Sequence, residues 1–205
     1  MEGPKFTHIA VEGIDGSGKD TQIDLLADHL RRAGHDARTI REPSSSTEIG
    51  RMIRDEFHNK TLDDMELNVL FAADRLVTRI IMSRMVAGME SMGDEAPMFV
   101  SSRSVWSAFA YHGLDNPMHE FLSPSSVVPD LTVVLDITVD EAMHRLKGDL
   151  DRFEASRERL TRARENYLEL AGNDESIVVI DAHQAPYLVA HNLCKQVDVW
   201  LENRT

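Results

Sequence analysis

The sequence predicts an α/β protein of three layers, a five-stranded parallel sheet with helices on both faces. Three observations carry this expectation. Short apolar runs alternate with longer segments of helical periodicity, and that alternation calls for crossover connections and a sheet covered on both sides. A glycine-rich loop joins the first apolar run to the first helical segment. No internal repeat, low-complexity tract or linker divides the 205 residues, so a single domain over residues 1–205 is expected.

The strands are read in FTHIAVE (6–12), ARTI (37–40), MFVS (98–101), LTVVLDI (131–137) and SIVVID (176–181), each short and rich in branched apolar residues. Helical spacing appears between them in DTQIDLLADHLRRAG (20–34), STEIGRMIRDEF (46–57), MELNVLFAADRLVTRIIMSRMV (65–86), DEAMHRL (140–146), ASRERLTRARENYLELAG (155–172) and APYLVAHNLCKQVDVWL (185–201). Gly34 and Gly172 stand where helix-ending glycines belong. The Met-rich stretch IIMSRMVAGMESM (80–92) has the spacing of one apolar helix face, which points to core or a subunit contact. In open parallel sheets ligands bind beyond the carboxyl ends of the strands, and the motifs below fall at those ends.

Composition narrows the function. A net charge of −13 argues against a general nucleic-acid or membrane-surface binder, since both need a basic face. The start of the chain lacks a basic region followed by a long apolar run, no stretch reaches the length of a membrane span, and a cytoplasmic protein is expected. One cysteine, Cys194, excludes an intrachain disulfide and lies in an apolar helical pattern that suggests core. The nine histidines show no ligand spacing, so no protein-built transition-metal site is expected.

An acidic protein can still bind anions where a few cations and a helix N-terminus converge. The stretch VEGIDGSGKDTQ (11–22) offers such a place. Gly13, Gly18 and Lys19 fit the G-x-x-x-x-G-K phosphate-loop spacing, between an apolar strand and an amphipathic helix. The next residue in that pattern is Ser or Thr, whose hydroxyl meets the nucleotide's magnesium; here it is Asp20. Further cations follow other strands. REPSSSTEIG (41–50) brings Arg41, and LFAADR places Phe71 and Arg75 one turn apart with Asn68 near the same face, a pairing able to stack on and hydrogen-bond a base. SSRSVWSAFAYHG (101–113) supplies Arg103, Ser107 and Tyr111, and KGDLDRFE (147–154) supplies Lys147 and Arg152 in a charged segment able to close over phosphates.

With these pieces in order, the chain resembles the thymidylate kinase family, which transfers the γ-phosphoryl group of ATP to dTMP. The similarity runs nearly end to end through EGIDGSGKDTQ, REP with STEIG, LFAADR, SRSVWSAFAYHG, PDLTVVLDI, LDRFE and RARENYLELA. The resemblance implies a three-layer P-loop kinase fold, a homodimer, and ATP with Mg2+ as donor and cofactor. It implies that Gly13, Asp15, Gly16, Ser17, Gly18, Lys19, Asp20 and Thr21 hold the ATP phosphates, with Lys19 on the transferring group. Asp15 also corresponds to the acid that meets the 3′-hydroxyl of dTMP. The resemblance further implies that Phe71 stacks on thymine, that Arg75 bonds its edge, that Arg41 and Arg103 grip the acceptor phosphate, and that Pro43, Asn68, Ser107 and Tyr111 complete the acceptor pocket. A lid near 147–156 supplies Arg152, because Gly16 stands where some relatives carry a catalytic arginine in the loop.

Two further departures matter. His112 stands where many relatives have glutamine. Ser102 stands where the family has an aspartate near the magnesium, so this chain has a carboxylate (Asp20) where a hydroxyl is expected and a hydroxyl where a carboxylate is expected. The resemblance implies Asp20 and Ser102 as the metal-facing pair with exchanged roles. Alternatives are a deoxynucleoside kinase, because RSVWS also resembles that related family's motif, and a kinase for another pyrimidine deoxynucleoside monophosphate, base-modified ones included.

Overall fold

The computed structural model describes residues 6–115, 128–146 and 157–204. The lid segment near 147–156, with Lys147 and Arg152, lies outside the described residues. In chain order the elements are β1 (Thr7–Glu12), α1 (Lys19–Arg32), β2 (Ala37–Arg41), α2 (Glu48–Asn59), α3 (Asp64–Met92), β3 (Met98–Ser102) and α4 (Val105–His112). They continue as β4 (Leu131–Asp136), α5 (Val139–Arg145), α6 (Arg157–Asn173), β5 (Ile177–Asp181) and α7 (Pro186–Glu202).

The five strands pair in the order β2-β3-β1-β4-β5, every pairing parallel. All five predicted strands are present. β1 and β4 are central and buried along almost their whole length, which is why they read as unbroken apolar runs and not as alternation. Adjacent residues of β3 serve different layers: Val100 joins the main core with Ile23, Leu26 and Leu30 of α1, while Phe99 meets Met82 and Val86 of α3. Helices therefore cover both faces, α1 against α7 on one, and α4 against α6 on the other.

The differences from expectation are local. The helix α4 was absent from the sequence reading, because SVWSAFAYH is too short to show a clear period; Ser104 starts it by accepting from Trp106 N at 3.3 Å. Gly172 does not stop α6, which runs through it to Asn173. α3 continues six residues past Val86 to Met92, where Gly93 in the left-handed region ends it. That tail splits the Met-rich stretch: Met82 is buried, while Met85 and Met92 face solvent. Cys194 packs against the main core, and burial pushes its thiol up to about 11, an inert residue as expected.

The strand order has β1 at the point where connections turn from one side of the sheet to the other, and a crevice opens there beyond the strand ends. The segments after β1, β2 and β3 meet at that crevice.

Candidate active site

The loop after β1 is shaped by backbone contacts that leave no room for side chains. Gly13 has φ +138, and a Cβ there would lie 2.6 Å from the Leu135 carbonyl oxygen of β4. Gly16 has φ +83, and its Cβ would lie 2.6 Å from the Ala142 carbonyl oxygen of α5. Both the sign of φ and the close approach demand glycine. Gly18 caps α1 without a side-chain bond, so the first-turn N–H groups of that helix remain available to an anion. Ser17 Oγ is buried in the same loop with no partner among the described residues. Lys19 Nζ donates to the carbonyls of Gly13 at 3.0 Å and Ile14 at 2.9 Å, so the ammonium hangs over the loop. Burial, reinforced by the charge of Arg103, pulls Lys19 down to about 8 against the opposing pull of Asp15, Glu12 and Asp20.

Beside the loop lies a cavity of about 200 Å³ lined by Asp15, Glu42, Pro43, Phe57, Asn68, Phe71, Arg75, Arg103, Ser107, Ala108, Tyr111, His112 and Arg159. The loop and the cavity share Asp15. Arg103 Nη2 donates to Asp15 Oδ1, Tyr111 donates to Oδ2 at 2.9 Å, and Lys19 Nζ lies 3.8 Å from Oδ1. Burial by itself would raise the Asp15 carboxyl, but the charges of Arg103 and Lys19 and the bonds from Tyr111 and Arg103 outweigh it and hold it below the ordinary carboxylate range. Burial likewise opposes the charge on Arg103, yet Asp15, the two tyrosines Tyr111 and Tyr167, and Glu12 keep it firmly cationic. Arg103 sits at φ +74, an unfavourable conformation for a non-glycine residue, while its N–H donates to the Val11 carbonyl at 3.0 Å. That backbone turn aims the guanidinium into the cavity, where Nη1 donates to Ser107 Oγ at 3.2 Å.

Beneath Arg103 is a carboxyl that sequence reasoning passed over. Glu12, fully buried at the end of β1, accepts from Ser104 Oγ at 2.7 Å on Oε1, and from Ser107 Oγ at 2.8 Å and Tyr167 OH at 2.7 Å on Oε2. Ser107 thus accepts from Arg103 and donates to Glu12, which links the cation to the floor of the site. A Glu12→Gln variant must turn an amide N–H toward a hydroxyl that is already donating. The expected cost is about 1–3 kcal/mol of stability, together with a drop in turnover as Ser107 loses its fixed orientation. Thermal melting and steady-state kinetics measure both, and an unchanged melting point with unchanged turnover contradicts the role assigned to Glu12.

At the other end of the cavity the side chains suit a flat polar ring. Phe71 lies 6.2 Å from Phe57, centroid to centroid, and forms an apolar wall. Among the described residues, Asn68 is buried with both amide atoms unpartnered, and Arg75 is buried with Nε and Nη2 unpartnered. Buried polar groups of this kind ordinarily find partners. Arg75 Nη1 reaches Glu42 Oε2 at 3.5 Å, and burial pushes the Glu42 carboxyl up to about 7 although Arg75 opposes the rise. Asp74, next in sequence, accepts from Ser44 N at 2.7 Å and from the Thr47 hydroxyl, which fixes the turn after Pro43.

Not every expected residue lines the cavity. Arg41 instead faces α1: its Nη2 donates to both carboxylate oxygens of Asp24 at 2.7 Å, and its Nε lies 3.6 Å from Asp20 Oδ1. Asp20 is largely exposed, 72% by side chain. Ser102 is buried at the end of β3 and is the register partner of Arg41. Among the described residues no three His, Cys, Asp or Glu side chains form a metal cage.

A family model described as thymidylate kinase matches residues 11–193. The chain belongs to the thymidylate kinase family. Individual thymidylate kinases bear this out over nearly full lengths. A probable thymidylate kinase of Methanosphaera stadtmanae is 33% identical, over 95% of this chain and 99% of its own. A thymidylate kinase of Exiguobacterium sibiricum is 33% identical over 97% of both chains, and one of Vibrio vulnificus is 32% identical over 98% of both. The matched region takes in every strand end that builds the site in this thymidylate kinase family member. Glu12, Glu42, Phe57 and Arg159 are the site residues that the sequence alone did not reveal. Phe57 reads as ordinary core and Arg159 as a solvated helix face; only the Glu12 and Glu42 positions, directly before a glycine loop and a proline at strand ends, carried a signal that could have marked them.

Proposed function

We infer that this chain transfers the γ-phosphoryl group of ATP to dTMP, giving ADP and dTDP. The observation that carries the reading is the polarity of one cavity: unpartnered base-edge groups on Asn68 and Arg75 beside Phe71 at one end, and Arg103 next to the phosphate loop at the other. A nucleoside has no phosphate for Arg103 to hold, which favours a monophosphate acceptor. Arg103 orients the acceptor phosphate, Lys19 neutralises charge on the transferring group, and Asp15, held by Tyr111, receives the sugar hydroxyl. Phosphoryl transfer needs chiefly positioning and positive charge around the equatorial oxygens, and Arg152 of the lid adds to that charge. ADP release from ATP across dTMP, thymidine, dUMP and dCMP tests the reading. The expected order puts dTMP first and thymidine at background, whereas preferred turnover of thymidine makes the chain a nucleoside kinase.

Magnesium, when bound, neutralises charge on the donor's phosphates. Asp20 and Ser102 would hold it: both are hard oxygen donors, and with nucleotide oxygens and water two protein ligands suffice for this ion. The Asp20 carboxylate is exposed and follows Lys19 directly, but Arg41 Nε, 3.6 Å from its Oδ1, competes with a metal for it and must move aside for that use. Asp20→Ser alone should weaken magnesium-dependent turnover, and Asp20→Ser with Ser102→Asp should recover much of the loss. A double variant no better than the product of the two single losses removes the exchange of roles.

The same family reading makes the protein a cytoplasmic homodimer. Met65, Val69, Leu76 and Ile80 form an exposed apolar stripe at helical spacing along α3, suited to a second copy of the chain. Ile80→Glu is expected to halve the mass measured by light scattering, and an unaltered mass assigns the interface elsewhere.

A further inference from the structure

A second and much smaller cavity of about 20 Å³ shares Glu42 and Arg75 with the acceptor cavity and is otherwise lined by His8, Ile40, Thr78, Arg79, Met82 and Ser101. Three of these residues, each more than nine-tenths buried, carry polar atoms with no partner among the described residues: His8 Nδ1, Thr78 Oγ1, and Arg75 Nε and Nη2. The three come from two elements, β1, which pairs with β3 in the sheet, and α3, which packs over β3. His8 Nε2 is 2.9 Å from Ser101 Oγ, so one ring nitrogen is satisfied and the other is left over. Burial, with Arg79 nearby, pulls His8 down to about 4, and the ring is neutral at physiological pH, with one nitrogen able to accept.

Size and chemistry together select the ligand. A void needs roughly 10–15 Å³ to hold one water, and that water needs two to four polar partners. This space is the size of one water. Its wall presents N–H donors on Arg75, a hydroxyl on Thr78 and a ring nitrogen on His8, the mixture a single water satisfies by accepting from arginine and donating to histidine. We propose that one bound water occupies this cavity, bridges Arg75 to Thr78 and His8, and so positions the Arg75 guanidinium for the acceptor base. The claim rests on the reading that Arg75 meets the base. It gives Thr78 and His8 a function neither would have as plain core: without them, among the described residues, Arg75 is steadied only by the 3.5 Å contact to Glu42.

The test combines a high-resolution crystal structure of the unaltered protein with kinetics of Thr78→Val, Thr78→Ser and Arg75→Ala. The structure should show one ordered water within hydrogen-bond distance of Arg75 and His8, and density absent from the cavity overturns the proposal whatever the kinetics. Thr78→Val removes the hydroxyl at nearly constant shape and should raise the KM for dTMP about three- to tenfold, the loss of one ordinary hydrogen bond. The KM for ATP and kcat should hold, and Thr78→Ser should restore the dTMP value. If Arg75→Ala raises the KM for dTMP while Thr78→Val only lowers the melting temperature, Thr78 is structural and the proposal fails. If Arg75→Ala also leaves that KM unchanged, the fault lies in the base-reading role of Arg75, and the crystallographic density alone decides the water.

Discussion

Replacing Arg103 by alanine is expected to cut kcat/KM for dTMP about ten- to a hundredfold, the loss of a charge-assisted contact of roughly 1.5–3 kcal/mol, while ATP affinity stays nearly unchanged. Its guanidinium is the cation held by Asp15 and Ser107 in the cavity, whereas on the proposed reading the donor's phosphates would meet the first-turn N–H groups of α1 and Lys19. The backbone provides a second measurement on the same residue. At φ +74 alanine keeps the left-handed penalty and glycine does not, so Arg103→Gly should be as inactive as Arg103→Ala yet melt higher, by the equivalent of about 1–2 kcal/mol. Calorimetry showing equal loss of ATP and dTMP binding reassigns Arg103 to both substrates.

Lys19→Met is expected to lower kcat by about 10²–10³, comparable to removing a preorganised donor from a transition-state site. The side chain nearly keeps its length but gives up its bonds to the Gly13 and Ile14 carbonyls, so a melting curve alongside the kinetics separates lost charge from lost loop support. Titration gives an independent check on the unaltered enzyme. Lys19 titrates near 8 in the ligand-free state, so log(kcat/KM) for ATP should fall as pH rises through about 8. In kcat the same limb moves to higher pH, since bound polyphosphate favours the charged amine. Stability changes in the opposite sense. The folded value lies below the unfolded 10.5, so between about 8 and 10.5 the unfolded chain binds more protons, and this group's contribution to stability rises with pH while activity falls. A flat profile for ATP across this window contradicts the buried, depressed ammonium.

The fold was legible because its signals are local and repeated. Five apolar runs with helical spacing between them leave little choice of architecture, and each strand lies within two residues of its expected limits. The phosphate loop, Arg75, Asn68, Phe71, Arg103, Ser107 and Tyr111 were legible because short motifs fix them at strand ends and on one helix face, and the structure gathers them around one crevice. What escaped is nonlocal. Glu12 looks like an ordinary strand-end residue until Ser104, Ser107 and Tyr167 arrive from 92, 95 and 155 positions away. Asp74 hides beside Arg75 in LFAADR, its purpose visible only once the turn at Ser44 closes over it. Arg41 shows the converse: the motif marks it for the acceptor phosphate, but charge on the neighbouring helix, at Asp24 and Asp20, draws it to the other side of the strand end.

The tight backbone contacts of Gly13 and Gly16 make the phosphate loop a mould cast by its neighbours. Its outline is set by the carbonyl of Leu135 in β4 and that of Ala142 in α5, before any nucleotide arrives. Binding therefore spends little of its free energy on ordering the loop. The same contacts make donor affinity sensitive at a distance. A bulkier residue at Ala142, which is itself fully buried, would press on Gly16 and tilt the row of N–H groups without touching a phosphate. Residues of α5 and β4 that carry no charge and meet no substrate thus belong, mechanically, to the nucleotide site.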